Sequence, residues 1–157
     1  MLKWLWLSLA VVVLDQLTKY WAVSALPLYT PVAVLPSLNL TLTRNTGAAF
    51  SLLNDAGGWQ RWLFVGLALL VSAAIVVWLR RLRPGQGWQA CALALVAGGA
   101  VGNVIDRLVH GYVIDFVDVY YRHWHWPAFN LADSAITAGA VMLIIEGLFG
   151  GRRSRAS

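Results

Sequence analysis

Residues 111–136 read GYVIDFVDVYYRHWHWPAFNLADSAI and separate two long apolar runs. Three of the chain's seven carboxylates, Asp115, Asp118 and Asp133, fall inside this stretch. The 157 residues are 59% apolar and 12% charged, against about 25% charged in a typical soluble domain. That balance describes an integral membrane protein, read as a single domain over residues 1–157. Nine tryptophans fit it, because Trp concentrates where lipid headgroups meet water. The acids therefore stand where the chain leaves the bilayer, and their task there is the question the sequence poses.

A spanning helix needs about 20 apolar residues. Four runs come near that length, at about 4–26, 59–79, 88–105 and 130–149. The first begins like a secretory signal, with Lys3 ahead of an apolar run. Asp15, Gln16 and Lys19 interrupt it and no small-x-small cleavage site follows, so it is read as an uncleaved span. Lys3, the Arg80, Arg81 and Arg83 group, and Arg152, Arg153 and Arg155 fall on one side of a four-span chain. The positive-inside rule makes that side cytoplasmic, with both termini on it. Residues 27–58 and 107–129 then face outward. In SLNLTLTRN (residues 37–45), Leu38, Leu40 and Leu42 alternate with polar residues, the period of a strand with one apolar face. Pro27, Pro31 and Pro36 prevent a helix before it. The expected fold is a mainly α membrane protein: four transmembrane helices with a small periplasmic β-sheet between helices 1 and 2. The outer β segment is expected over about 31–53, with its leucines turned toward lipid or substrate.

The formal charge of +5 resides in short loops and tails, where topology accounts for it. No basic groove interleaved with aromatics is present, so no nucleic-acid partner is expected. Cys91 is the only cysteine, which excludes an intrachain disulfide and a cysteine metal cluster.

In DQLTK, Asp15 and Lys19 are four residues apart and share a helix face. Opposite charges within a span are costly unless paired or facing a polar cavity, so this pair either fastens its helix to the bundle or stands beside a site. In GGAVGNVIDR (residues 98–107), Gly98 and Gly102 form a small-xxx-small pair that lets helices approach. Asn103, Asp106 and Arg107 share a face there, as an interhelical clamp or as part of a site. Asn130, Asp133, Ser134 and Thr137 form a similar stripe in FNLADSAIT. Asn130 can cap that helix, with Asp133 near its positive end. Capping does not account for Ser134 and Thr137. Asp115 and Asp118 read as interfacial acids on opposite faces of an extended segment, so that one of them looks inward.

Asp115 and Asp133 belong to segments that both end at the outer surface. Two carboxylates within hydrogen-bond reach share a proton. The charged member can activate water and the protonated one can polarise a peptide carbonyl, with neither metal nor cofactor. Other chemistries fit less well. His110, His123 and His125 lack the HExxH spacing, and the latter two read as solvated around Trp124. Ser134 has no GxSxG elbow. A proton-coupled transporter would string its acids across the bilayer, whereas here only Glu146 lies near the other end. A non-catalytic binder of apolar helices would tolerate Asp→Asn at both positions.

In order, DQLTK (15–19), TRNTGAAFS (43–51), GGAVGNVIDR (98–107), GYVIDFVD (111–118) and PAFNLADSAI (127–136) closely resemble the signal peptidase II, or lipoprotein signal peptidase, family over essentially the whole chain. The resemblance implies an aspartic endopeptidase of the bacterial inner membrane, inhibited by globomycin. Such an enzyme cuts prolipoproteins just before a diacylglyceryl-modified cysteine. It implies Asp115 and Asp133 as the catalytic pair and Asp15, Asn45, Asn103, Asp106, Arg107 and Asn130 as supporting residues. Lys19, Gly47, Ala132 and Ser134 are expected at the same site. Gly47, Ala48 and Ala49 permit close backbone approach, so this segment is expected to contact substrate, with Asn45 or Arg44 as donors. The expected partners are lipidated prolipoproteins and membrane lipids, and the chain is expected to act as a monomer without cofactor or metal.

Overall fold

A computed structural model of the chain describes residues 1–47 and 58–149. A 3-10 turn, Leu2–Trp4, leads into helix α1, Leu5–Ala25. Strands β1, Val32–Leu35, and β2, Leu38–Asn45, follow. Helices α2, Trp59–Arg81, and α3, Gly87–Val109, come next. Strands β3, Val113–Tyr121, and β4, Trp124–His125, precede helix α4, Leu131–Phe149.

Helices α2, α3 and α4 are each long and apolar enough to cross a membrane. The central one is α3: 61% of its apolar window is buried inside the protein, against 17% for α2 and for α4. Its sequence explains this position, because Ala and Gly let neighbouring backbones come close. A Cβ at Gly98 would sit 2.8 Å from the Ser8 carbonyl oxygen and the Val11 Cβ of α1. One at Gly99 would strike the Ala132 carbonyl of α4, and one at Gly139 would lie 2.5 Å from the Ala92 carbonyl of α3. The Ser8 hydroxyl adds a bond to the Ala94 carbonyl at 2.8 Å. At the other face of α3, a cluster of Ile75, Leu79, Leu82, Ala90, Leu93 and Ala97 joins it to α2.

The sheet is antiparallel, in the order β1-β2-β3-β4. Two of its strands come from the connection between α3 and α4, so it is not confined to the segment between helices 1 and 2. The run VIDFVDVYY, rich in β-branched and aromatic residues, suits a strand, and β2 offers it an open edge. The leucine row also departs from expectation. Leu42 is buried with Ala22, Ile114 and Phe116, and Leu40 packs against that cluster. The pairing register shifts between Leu40 and Thr43, and Leu40 and Leu42 pack toward Ala22 near the end of α1 rather than toward lipid or substrate. Residues 48–53 of the expected β segment, including Ala48 and Ala49, lie outside the described residues.

Close backbone packing at Gly98 makes a differential prediction. Gly98→Val should destabilise the protein by about 1–3 kcal/mol, the usual cost of overpacking against atoms that cannot yield. Gly66→Val in α2, where an added Cβ meets nothing within 4 Å, should melt close to wild type. Thermal unfolding of both variants in one detergent checks the contrast.

Candidate active site

The site starts from a buried cation. Lys19 Nζ lies 2.8 Å from Asp15 Oδ2, 2.9 Å from Asp106 Oδ2 and 3.0 Å from Asn103 Oδ1. An ammonium has three N–H donors, and here each has an acceptor. Lys19, Asp15 and Asp106 are each exposed by no more than 1%. The sequence left open whether the Asp15–Lys19 pair fastens a helix or adjoins a site. It does fasten α1 to α3, and its partners lead onward to Asp133. Gly102 makes room for it, since a Cβ there would stand 2.6 Å from Asp15 Oδ2. Gln16, treated in the sequence only as an interruption, completes the cluster by donating to Asp106 Oδ1 at 2.9 Å.

The same two carboxylates also position the neighbouring segments. Asp15 Oδ1 accepts the Ala132 N–H at 3.0 Å, so α1 holds the start of α4, and the contribution of Ala132 is its backbone. Asp106 Oδ2 accepts the Ile114 N–H at 3.0 Å, tying β3 to α3. On the far side of β3, the Phe129 and Val117 backbones exchange bonds of 2.9 and 3.0 Å. That bridge delivers Asn130 to Asp115.

Asn130 is the link between Asp115 and Asp133. Its Oδ1 accepts the Asp133 N–H at 2.9 Å, while Asp133 Oδ2 accepts the Asn130 N–H at 3.2 Å, a reciprocal cap at the start of α4. With its oxygen so engaged, the Asn130 amide must turn its Nδ2 toward Asp115 Oδ1, at 2.7 Å. The same group lies 3.2 Å from both the Ile114 carbonyl and Asn103 Oδ1. Asn103 is oriented by similar logic. Lys19 has no acceptor, so it fixes Asn103 Oδ1 and leaves Nδ2 to donate to Asp133 Oδ1 at 2.8 Å. Capping and site-building, alternatives in the sequence, are thus performed by the same residues.

Asp115 is 1% exposed. Burial, reinforced by the charge of Asp133, pushes its carboxyl up to about 7. Hydrogen bonds from Asn45 Nδ2, at 3.0 Å, and from Asn130 oppose that rise. Asp133 is half-buried. Arg107 donates to the Asn103 carbonyl at 3.3 Å, stands over the Phe64 ring and is within Coulombic reach of Asp133, Asp115 and Asp106.

Asp118, expected to be solvated, is instead 6% exposed. It faces Asn39, Thr41 and His125, at 3.2, 3.2 and 2.8 Å. Burial pushes its carboxyl up, but these bonds together outweigh burial and hold it below the usual range. His125, expected to be solvated, is exposed and at the same time pairs with Asp118 and stacks on Tyr120. Ser134 donates to the Asn130 carbonyl at 3.0 Å. Gly47 adopts φ of 89°, and a Cβ there would lie 2.5 Å from Phe64 of α2, so its close approach is to that ring. A cavity of about 550 Å³ opens beside Asp133 between Trp126, Phe129, Ser134, Thr137 and Ala138. Trp126 and Phe129 carry no signal in the sequence that would assign them to a site. Among the described residues no three His, Cys, Asp or Glu side chains come together as metal ligands.

The Lys19 cluster makes a stability prediction. Lys19→Met removes the ion-pair partner of two buried carboxylates, and breaking a buried ion pair this way costs about 3–5 kcal/mol. The variant should melt far below wild type in detergent, whereas Lys3→Met should not.

The chain as a whole is similar to known proteins. The family model for signal peptidase (SPase) II matches residues 7–149. A lipoprotein signal peptidase of Pseudomonas aeruginosa (strain UCBPP-PA14) is 56% identical over 147 residues, covering 92% of this chain and 87% of that protein. One from Alteromonas mediterranea is 52% identical over 145 residues, covering 92% and 80%. A solved structure described as a bacterial membrane enzyme superimposes with a TM-score of 0.83 at 31% identity, covering 94% of this chain and 93% of that one. The chain belongs to the signal peptidase II family of membrane aspartic peptidases.

Proposed function

We propose that this chain removes signal peptides from prolipoproteins, cutting before a diacylglyceryl-modified cysteine, with Asp115 and Asp133 activating water at the outer membrane–water interface. The observation that carries this reading is the Asp115–Asn130–Asp133 linkage, which ties together two carboxyl groups in unequal surroundings. Asp115, buried and raised to about 7, is the member that holds the proton. Asp133 accepts N–H bonds from Asn103 and Asn130.

In the reaction, the Asp133 carboxylate takes a proton from water as the water oxygen bonds to the scissile carbonyl carbon. Asp115 donates its proton to the carbonyl oxygen. The tetrahedral intermediate collapses as the carbonyl re-forms, its hydroxyl proton returns to Asp115, and the proton on Asp133 passes to the departing amine nitrogen. Both carboxyl groups end as they began. Asn45, Asn103, Asn130 and Arg107 position and balance the pair, and the Lys19, Asp15 and Asp106 cluster supports them from below. The cavity beside Asp133, largely aromatic and aliphatic with two hydroxyls, suits a lipid-bearing residue or the apolar signal segment.

The same reading makes α1 a fourth span. Its polar face is satisfied inside the bundle, while Leu9, Val13, Leu14 and Leu17 remain exposed, as a lipid-facing surface requires. Both termini then lie in the cytoplasm of a bacterial cell and the sheet outside its inner membrane.

Cleavage of a diacylglyceryl-modified precursor, followed by gel shift, tests the assignment. Asp115→Asn and Asp133→Asn should each lower kcat by roughly 10²–10⁴-fold, the usual worth of a general acid or base, with the fold retained. Asp118→Asn should keep most of the activity. Wild-type turnover of either Asp→Asn variant would remove that residue from the reaction, and failure of wild type to cut the lipidated precursor would remove the substrate.

A pH profile tests the proton's location. The reactive form has Asp115 protonated, so kcat/KM should fall as pH rises through about 7. The Asn45 hydrogen bond lowers the Asp115 pKa by favouring the anion. Asn45→Ala should therefore move the alkaline limb to higher pH; an unmoved or lowered limb would contradict Asp115 as the acid.

A further inference from the structure

A second cavity, of about 650 Å³, lies at the opposite end of the bundle, where α2 ends and α3 begins. Its walls include Val77, Trp78, Arg81, Arg83, Gln86 and Gln89. We propose that it binds the phosphodiester headgroup of an anionic phospholipid, with Arg81 and Arg83 gripping the phosphate and Val77 and Trp78 lying along the upper acyl chain. This site is separate from the carboxylate pair and does not rest on the reading of that pair.

The polar groups around the cavity leave it cationic. The Arg83 backbone N–H donates to Gln86 Oε1 at 2.6 Å. Gln86 Nε2 donates to Gln89 Oε1 at 2.8 Å, and Gln89 Nε2 lies 3.4 Å from Glu146 Oε1. The two amide oxygens are therefore consumed within a chain of bonds that ends on Glu146, which lines a neighbouring cavity rather than this one. Among the described residues neither Arg81 nor Arg83 has an acidic partner for its guanidinium. Two free guanidiniums beside one another present planar donor sets that match phosphate oxygens. They would repel a second ammonium, which disfavours a zwitterionic headgroup.

The apolar half of the cavity selects lipid over a dissolved anion. Trp78 is 50% exposed and Val77 44%, on a helix apolar enough to span a membrane. A free phosphate would leave that surface uncovered, whereas a phospholipid covers it with the same molecule whose headgroup meets the arginines. Basic pockets between helices at the cytoplasmic ends of spans bind anionic lipid headgroups on this principle.

The test uses purified full-length protein in a neutral detergent, titrated with phosphatidylglycerol, phosphatidylcholine or inorganic phosphate, and reads the melting temperature. Phosphatidylglycerol should raise it by preferential binding to the folded state, and the other two should not. The double variant Arg81→Gln/Arg83→Gln should need about 30-fold more phosphatidylglycerol for the same rise. Arg80→Gln, outside the cavity, should titrate like wild type. The double variant should still cut a lipidated precursor, which separates loss of this site from failure of the peptidase reading. Equal shifts with phosphatidylcholine, a full shift with inorganic phosphate alone, or a double variant that titrates like wild type would each overturn the proposal. Should the double variant not fold, native mass spectrometry of wild type replaces it. Retention of one phosphatidylglycerol in preference to phosphatidylcholine supports the site, and no preference refutes it.

Discussion

The buried ammonium of Lys19 is the constraint on which the rest of the outer end depends. A charge removed from water is tolerated only when its partners are complete, and leaving one unpaired costs several kcal/mol. Lys19 finds its acceptors on its own helix and at two positions of α3. Meeting all of them fixes the rotation of α1 about its axis and its height against α3. The same carboxylates then reach the Ala132 N–H through Asp15 Oδ1 and the Ile114 N–H through Asp106 Oδ2, which also meets Lys19, so the cation locates the first turn of α4 and the start of β3 at one stroke. Gly102 belongs to the same constraint, because any side chain there would displace Asp15.

From this foundation the orientation of each amide follows by elimination. Lys19 can only donate, so Asn103 presents its oxygen to it and its amino group to Asp133. The backbone N–H of Asp133 can only donate, so Asn130 presents its oxygen there and its amino group to Asp115. Three aspartates near the outer end consequently experience different surroundings. Asp115 combines burial with a neighbouring negative charge and is raised, whereas Asp118 has a histidine ring and two further donors that outweigh its burial. Both the deeper burial of Asp115 and the signs of their neighbours distinguish them.

The helices, the polar stripes and the Asp15–Lys19 pair were legible because each rests on local spacing: an i, i+4 pair or an i, i+3, i+4 stripe is set by helical geometry whatever surrounds it. The contribution of β3 to the sheet was not legible, because its pairing with β2 joins residues far apart in sequence, from Asn45 with Val113 to Leu38 with Val119, and YVIDFVD reads equally well as an interfacial apolar piece. Leu40 and Leu42 pack toward Ala22 rather than toward lipid or substrate, because an alternating pattern marks an apolar face without naming the neighbour it meets. Trp126 and Phe129 were missed because aromatic residues at an interface need no site to explain them. His125 and Asp118 are seven residues apart around a hairpin, and only the turn at Arg122, with φ of 55°, brings them together.

Burial also separates the supporting cluster from the proposed chemistry. Lys19, Asp15 and Asp106 are each exposed by no more than 1%, and a weak dielectric strengthens ion pairs so enclosed. Asp15 Oδ1 accepts the Ala132 N–H, so the first turn of α4, which carries Asp133, is held directly against that cluster. Asp133 itself is only half-buried and lines a cavity, so on the proposed reading water and a peptide can reach it while the cation stays sealed. An arrangement with these exposures exchanged would fail on both counts: a sealed Asp133 would lack the water it is proposed to activate, and an exposed ammonium cluster would lose to solvent much of the attraction that fixes α1, α3 and α4.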